Sequence, residues 1–437
     1  MLQFRPKCMP SFICWKALTI IACQPCHNTL DAGCYGVDTG ILQPPSWQTF
    51  RLRELIIPHP ESHPGSFYQP GGQSIFRVLL PGEATMESDM SFECSSQDPL
   101  VTFGVLADVQ YADHDDKPAR YDPSLMRYYR NALNQVRRAY DHWSRVPGLG
   151  FVLQLGDLID EHNGGCHRGL DRVLEAMGPL PSYHTVGNHE LYNCDRKDLA
   201  RKYLQHRHTE LPLDGGDPVF YYSFTPRPGV RLISLDCFDV SVLGRDPREP
   251  QRQMAAELLA RAHGTWDEEC WEQTGELMGL DQRFVDSNGA LSDAQLRWLD
   301  AELTRADALG EVVVVFGHLA ISPASAGADC LLWNYAEVMG LFDAHPCVAL
   351  YLCGHTHRCG YAVDTKGVHY MALAGIIETA PEQEAFSTVS IFPDRIEVLG
   401  SGREETRTLW LRTALGVGAG PEDLTTALSA PVVRVSV

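Results

Sequence analysis

From Val101 onward, apolar runs alternate with stretches of helical spacing. VTFGVLADVQ (residues 101–110) reads as a strand ending in polar side chains. Ser124–Arg145 follows, with Leu125, Met126, Tyr129, Leu133, Val136, Tyr140 and Trp143 on one helical face. FVLQLGDLID (151–160) is the next strand, and residues 169–177 place Leu170, Val173, Leu174 and Met177 at helical spacing. SYHTVGNHE (182–190) reads as a short strand and a turn, and VRLISLDCFD (230–239) as another strand. Residues 240–290 break the alternation: charged, with Trp266, Trp271 and several glycines, they read as an insertion over one edge. Ser292 and Gln295 form a capping box that opens a helix with Leu296, Leu299 and Leu303 inward. EVVVVFGHLAIS, CVALYLCGHTH, VHYMALAGIIET and FSTVSIFPDRIEVLG complete the pattern as strands. Alternating strands and helices predict an α/β layered architecture, and the late, helix-poor run predicts a second sheet stacked on the first. Ligands of such sheets sit beyond the carboxyl ends of the strands.

The two ends of the chain lack this regularity. Residues 1–98, with PPSW, HPESHPG and QPGGQ, read as a low-order extension, and residues 413–437 as a flexible tail. The regular part, 99–412, is the expected catalytic domain. Cys23-Gln-Pro-Cys26-His27 matches a haem-attachment pattern, but no haem-packing domain surrounds it, so chance explains it better. Met86 and Met90 stand just before the regular part and are plausible alternative starts.

Charge and cysteines narrow the function classes. The 437 residues carry a formal charge of −20, which offers no cationic footprint to a nucleic-acid backbone or an anionic membrane. An anionic substrate would therefore need local positive charge, and bound metal ions can supply it. The 14 cysteines follow no regular framework and read as reduced, buried small hydrophobes. No Asn-x-Ser/Thr sequon occurs, no apolar run is long enough for a membrane span, and the apolar segment 11–24 is interrupted by Lys16. A cytoplasmic monomer, with no nucleic-acid or membrane partner, is the expectation.

The strand ends carry the candidate chemistry. Asp108 and Gln110, Asp157, Asn188 and His189, His318, and His355 and His357 each follow an apolar strand. Glycine introduces Asp157, Asn188, His318 and His355. Taken singly, each reads as a turn or cap residue, as His369 does; together they read as metal ligands. Carboxylate, imidazole and amide donors without thiolate suit divalent ions such as Mn²⁺. Asp108, Gln110, Asp157, Asn188, His318, His355 and His357 are too many donors for one ion with open positions, but they suit two. A carboxylate shared between ions ~3.5–4 Å apart is the usual bridge. Asp157 is the natural one, with Asp108, Gln110 and His357 completing one ion and Asn188, His318 and His355 the other.

The ordered set D-x-Q, GD, GNH, GH and GH-x-H resembles the calcineurin-like metallophosphoesterase superfamily over roughly residues 100–400. The resemblance implies a four-layer α/β/β/α sandwich, a dimetal centre at the strand ends, and hydrolysis of phosphate esters or anhydrides. It departs in the first motif, commonly D-x-H, where Gln110 stands. A neutral amide oxygen there favours a hard ion such as Mn²⁺, with Mg²⁺, Zn²⁺ or Fe as alternatives. FGVLADVQYAD, VLQLGDLID, GNHELYN, LDCFDVSVLG, LLWNYAEV, GHTHRCGY and GIIETAPEQEAF resemble the manganese-dependent ADP-ribose/CDP-alcohol diphosphatases. That resemblance implies small-molecule, nucleoside diphosphate-linked substrates such as ADP-ribose, CDP-choline and CDP-glycerol, cleaved to a nucleoside monophosphate and a phosphorylated partner. His189, beside Asn188, is then the catalytic residue that donates a proton or hydrogen bond to the leaving oxygen. Asp113 and Glu190 are candidates to orient the histidines, and Phe238, Trp333 and Tyr335 to meet the nucleoside.

Rival readings fail on particular residues. A purple-acid-type phosphatase needs tyrosine three residues after the bridging Asp, and Asp160 stands there. A protein Ser/Thr phosphatase needs Arg after GDLID, where Glu161 and His162 stand. A non-catalytic scaffold of the same fold predicts eroded ligands, and the net charge opposes a nuclease. Another calcineurin-like phosphodiesterase or phosphatase remains the alternative.

Overall fold

The computed structural model describes residues 98–165, 167–204, 213–214, 217–264 and 277–412. The expected extension, the tail, and Trp266 and Trp271 of the expected insertion lie outside the described residues.

Two six-stranded sheets form the framework. The first contains β1 (Val101–Leu106), β2 (Leu149–Gln154), β3 (Ser182–His184), β10 (Ala385–Ile391), β11 (Arg395–Gly402) and β12 (Arg407–Trp410), in the order β12-β11-β10-β1-β2-β3. The second contains β4 (Tyr222–Arg227), β5 (Val230–Ser234), β6 (Val312–Phe316), β7 (Val348–Cys353), β8 (Gly360–Val363) and β9 (His369–Ala372), in the order β8-β9-β7-β6-β5-β4. β1, β2 and β3 run parallel, as do β5, β6, β7 and β9, so the carboxyl ends of each set share an edge. Such strands are covered on both sides, which is why β1 is buried at every position and reads as a continuous apolar run.

The layers meet through aromatic contacts. Phe224 of β4 stacks on Tyr183 of β3 with ring centroids 3.8 Å apart and meets Phe151 of β2 edge-on at 5.5 Å, joining the sheets face to face. Helix α1 (Ala132–Trp143) and helix α2 (His167–Met177) cover the outer face of the first sheet. Trp143 packs edge-on against Phe386 of β10, and its ring lies where a Cβ at Gly104 would stand. Helix α6 (Asp293–Leu309) and helix α7 (Tyr335–Ala344) cover the second sheet, α7 through Phe342 against Tyr351 of β7. Ser292 caps α6 by accepting the Gln295 N–H, and Gly310 closes it with φ 63°. The expected four-layer sandwich is present.

Two details differ from the sequence pattern. The helix expected over Ser124–Arg145 begins only at Ala132. Asp122 accepts the Ser124 N–H and hydroxyl, turning the chain at Pro123, and Met126–Arg127 pair antiparallel with Lys117–Pro118. Tyr128 N–H then donates to Ile377 O at 2.7 Å, so tertiary hydrogen bonds override the local helical period. The late strands also divide between the sheets: β7 and β9 lie in the second, while FSTVSIFPDRIEVLG folds as the β10–β11 hairpin on β1 of the first. Part of the irregular stretch 240–290 is helical, as α5 (Pro250–His263), which buries Ala255 and Leu259 beside Val240, Ala290 and Trp333. Helices α3 (Asn188–Asn193) and α4 (Arg196–Leu204) follow β3. No helix among the described residues is long and apolar enough to cross a membrane.

Candidate metal centre

The candidate ligands stand where the parallel strands end. Asp108 and Gln110 follow β1, Asp157 follows β2, Asn188 opens α3 after β3, His318 follows β6, and His355 and His357 follow β7. Asp108, Gln110, Asp157, His355 and His357 take φ values of 53°, 42°, 59°, 66° and 53°. Among the described residues, these are the non-glycine residues with positive φ. A left-handed conformation costs a non-glycine residue about 1–2 kcal/mol, and such strain gathers at functional sites. Here it turns each side chain sharply out of its strand into one cleft.

Two groups of donors converge there and share Asp157. Asp157, His318 and His355 form one, Asp108, Asp157 and His357 the other, each with its ligand atoms within 4.8 Å of one another. In the first group, His318 Nδ1 donates to Leu155 O at 2.7 Å, which turns Nε2 into the cluster. That nitrogen lies 3.1 Å from Asn188 Oδ1, 3.2 Å from His355 Nδ1 and 3.4 Å from Asp157 Oδ2. In the second, His357 Nδ1 donates to Glu378 Oε1 at 2.9 Å, so Nε2 faces Asp108 Oδ1 at 3.5 Å. The Gln110 amide nitrogen lies 2.9 Å from Asp157 Oδ2 and 3.0 Å from His357 Nε2, while its buried oxygen has no hydrogen-bond partner. A half-turn of the amide exchanges oxygen and nitrogen and adds another acceptor to the cluster. Carboxylate, amide and imidazole groups crowded into one buried cleft fit cations, and this donor set fits two divalent ions of the Mn²⁺ type.

The electrostatics follow from crowding. Burial opposes a charged His318, yet the Asp157 carboxylate outweighs it and lifts the pKa to about 9. Burial likewise opposes a charged Asp157, but His318 and His189 pull its pKa far below the usual carboxylate range. Burial and the neighbouring His318 push His355 well below the usual imidazole value.

His189 sits at the rim, 8% exposed. Its backbone N–H donates to Asp157 Oδ1 at 2.9 Å. Its Nδ1 receives the Glu161 N–H at 3.3 Å and lies 3.5 Å from Asp160 Oδ2, with Nε2 directed to the Asp157 side, 4.0 Å from Oδ2. Glycine is needed beside it: a Cβ on Gly187 would run into the Asp157 carboxylate.

The expected orienting carboxylates do something else. Asp113 is on the surface, paired with Arg130 at 2.6 Å. Glu190 holds backbone rather than histidines: it accepts N–H groups of Asp157 and Gly187 at 2.8 Å each, and that of Leu158. Burial and the Asp157 charge raise its pKa to about 7. Glu378, Asp160 and the Leu155 carbonyl are the groups that contact the histidines, and Glu378 lies in the GIIETAPEQEAF stretch whose spacing alone gives it no role. Phe238 and Trp333 are buried as core residues, Trp333 donating its indole N–H to Val285 O at 3.3 Å. Tyr335, at the start of α7, packs its ring under the Arg283 guanidinium at 5.6 Å. A cavity of about 590 Å³ opens beside α3, lined by Tyr192, Asn193, Arg196, Gly244 and Arg245 among others. Tyr192, one of its lining residues, accepts the Asn188 amide N–H on its hydroxyl at 3.1 Å.

A family model described as calcineurin-like phosphoesterase matches residues 101–359. The chain belongs to this family. Relatives named manganese-dependent ADP-ribose/CDP-alcohol diphosphatase are 38% identical in Xenopus tropicalis, over 72% of this chain and 96% of the relative, and 38% identical in Mus musculus, over 73% and 96%. A relative of the same name in Arabidopsis thaliana is 34% identical over 71% of this chain and 97% of its own length. Among solved structures, a dimetal phosphatase from Danio rerio is similar, with TM-score 0.67 and 35% identity, covering 72% of this chain and 100% of the other. The catalytic domain of the family and the names of these relatives make this chain a hydrolase.

Proposed function

We propose that the protein hydrolyses the diphosphate bond of ADP-ribose and CDP-alcohols in a manganese-dependent reaction. The observation that carries the reading is the pair of acceptor clusters sharing Asp157, in a chain whose relatives bear that activity in their names. Asp157, Asp108, Gln110 and His357 would hold one ion, and Asp157, Asn188, His318 and His355 the other. When bound, the pair supplies an acidified water and positive charge for the phosphoryl oxygens.

The chain's own residues do the rest. Asp157 fixes the two halves of the site relative to each other, and Glu190, bonded to the backbone on both sides of it, keeps the loop rigid. In the hydrolysis, the water oxygen bonds to one phosphorus while the bridging P–O bond breaks, its electron pair leaving with the other phosphate. His189 meets the leaving oxygen with its Nε2 proton: Nδ1 already accepts the Glu161 N–H, so the proton of the neutral ring sits on Nε2.

The test is hydrolysis by the full-length protein with Mn²⁺, using ADP-ribose and CDP-choline, with bis(p-nitrophenyl) phosphate and a phosphoprotein as comparators. Turnover of either diphosphate to a nucleoside monophosphate is the expected result. Activity on the comparators alone would overturn the assignment in favour of another calcineurin-like phosphoesterase.

A further inference from the structure

Glu378 ends a 3₁₀ turn, Ile376–Glu378, in a stretch with no assigned role, yet it joins the metal cleft to the molecular surface. Its side chain is buried and each carboxylate oxygen has a separate duty. Oε1 accepts from His357 Nδ1 at 2.9 Å, and Oε2 accepts from the Tyr121 hydroxyl at 2.6 Å. Arg127 Nε stands 3.5 Å from Oε1. Tyr121 is 53% exposed, with its ring edge-on to the His357 ring at 6.4 Å and the Arg358 guanidinium 5.8 Å over it. The same loop is anchored to this turn where Tyr128 N–H donates to Ile377 O.

These contacts decide how His357 presents itself. With φ at 53°, its backbone directs the ring into the cleft but leaves rotation about the side-chain bonds open. Glu378 removes that freedom: an ionised carboxylate only accepts, so Nδ1 must carry a proton and Nε2 is held toward Asp108 and Gln110. Glu378 in turn is aligned by the Tyr121 hydroxyl. The hydrogen bonds and ion pair of Glu378 run to His357, Tyr121 and Arg127, on the Asp108/His357 side of the site.

We propose that Tyr121 and Glu378 are positioning residues that form a hydrogen-bonded strut from the surface loop to His357, setting Mn²⁺ affinity at the Asp108/Gln110/His357 half of the centre. The proposal rests on the two-ion reading above. It makes the exposed loop around Tyr121 part of the metal centre's support, so that contacts made by this loop reach the ion through Glu378.

The experiment is a Mn²⁺ titration of full-length, metal-stripped protein, followed by the electron paramagnetic resonance signal of free Mn²⁺, for wild type, Y121F, E378Q and the double variant. Wild type is expected to take up two ions. E378Q should weaken one of the two steps by about 10- to 100-fold, the range for loss of a partner behind a ligating histidine. Y121F, which keeps the ring and removes only the hydroxyl, should weaken the same step by about 3- to 10-fold, the worth of one hydrogen bond. The double variant should bind no more weakly than E378Q, because Tyr121 acts through Glu378. Additive losses, equal losses at both steps, or an E378Q protein within about twofold of wild type would overturn the strut and leave the two-ion reading standing. A wild-type protein that takes up fewer than two ions would overturn both.

Discussion

Replacing Asp157 by Asn tests the shared-ligand arrangement most directly, because it keeps the shape and removes the charge. The amide oxygen of Asn can still accept the His189 N–H that Asp157 Oδ1 accepts at 2.9 Å, so the loop is expected to persist. The two halves of the centre are unequally exposed to the loss. Around His318 and His355, Asp157 is the sole carboxylate of the cluster, whereas Asp108 remains beside His357. Two unit charges 4 Å apart attract by about 4 kcal/mol at an effective dielectric of 20, and a divalent ion doubles that gross attraction. After the ion's own hydration is set against it, a net loss on the order of 4 kcal/mol, or about 10³-fold in affinity, is expected at the His318 half. D157N should therefore bind at most one Mn²⁺ by equilibrium dialysis, and its turnover should fall by at least about 10³-fold. A D157N protein that binds two ions, or keeps half its turnover, would refute the bridging role.

Three further outcomes follow from the geometry. Gln110→His exchanges an amide for an imidazole at a left-handed position that histidine tolerates; the ratio of Zn²⁺- or Fe-supported to Mn²⁺-supported turnover should rise, and an unchanged ratio counts against the amide as a selector. Gly187→Ala drives a methyl group into the Asp157 carboxylate and should cost about 1–3 kcal/mol in urea unfolding as well as Mn²⁺ affinity; wild-type values for both would show that the loop yields. His345, between Asp300 at 3.0 Å and Asp307 at 2.7 Å, has its pKa raised by those carboxylates against the opposing effect of burial. Its stabilising contribution is complete below the unfolded imidazole pKa and fades as pH rises through the folded one, so the melting-temperature gap between wild type and His345→Gln should narrow from pH 6 upward; a gap constant with pH would contradict the pairing.

The strand ends were legible in the sequence because each is an apolar run stopped by a polar residue, usually behind glycine, and parallel strands bring such ends to one edge. The start of α1 was not. Leu125, Met126 and Tyr129 keep helical spacing, but a turn at Pro123 and a hydrogen bond to Ile377 decide the backbone there. Glu378 was equally hidden, since β8 and β9 intervene between it and His357 and no local period connects them. Asp113 shows the converse. It sits close to Gln110 in sequence, yet the backbone turns its carboxylate outward to Arg130. Local pattern thus marks the candidate ligands, while the groups that orient them depend on long-range contacts.

The left-handed backbone at Asp108, Gln110, Asp157, His355 and His357 has a consequence for how such a protein ages under mutation. At about 1–2 kcal/mol each, the strain is comparable with the whole stability of a typical domain. Glycine at any of these positions relieves the strain and asparagine tolerates it, so losing a ligand to either need not endanger the fold. Val or Ile there would add strain and lose the ligand together. A lineage released from selection for catalysis would therefore keep its sandwich while its ligand positions drifted toward glycine and asparagine.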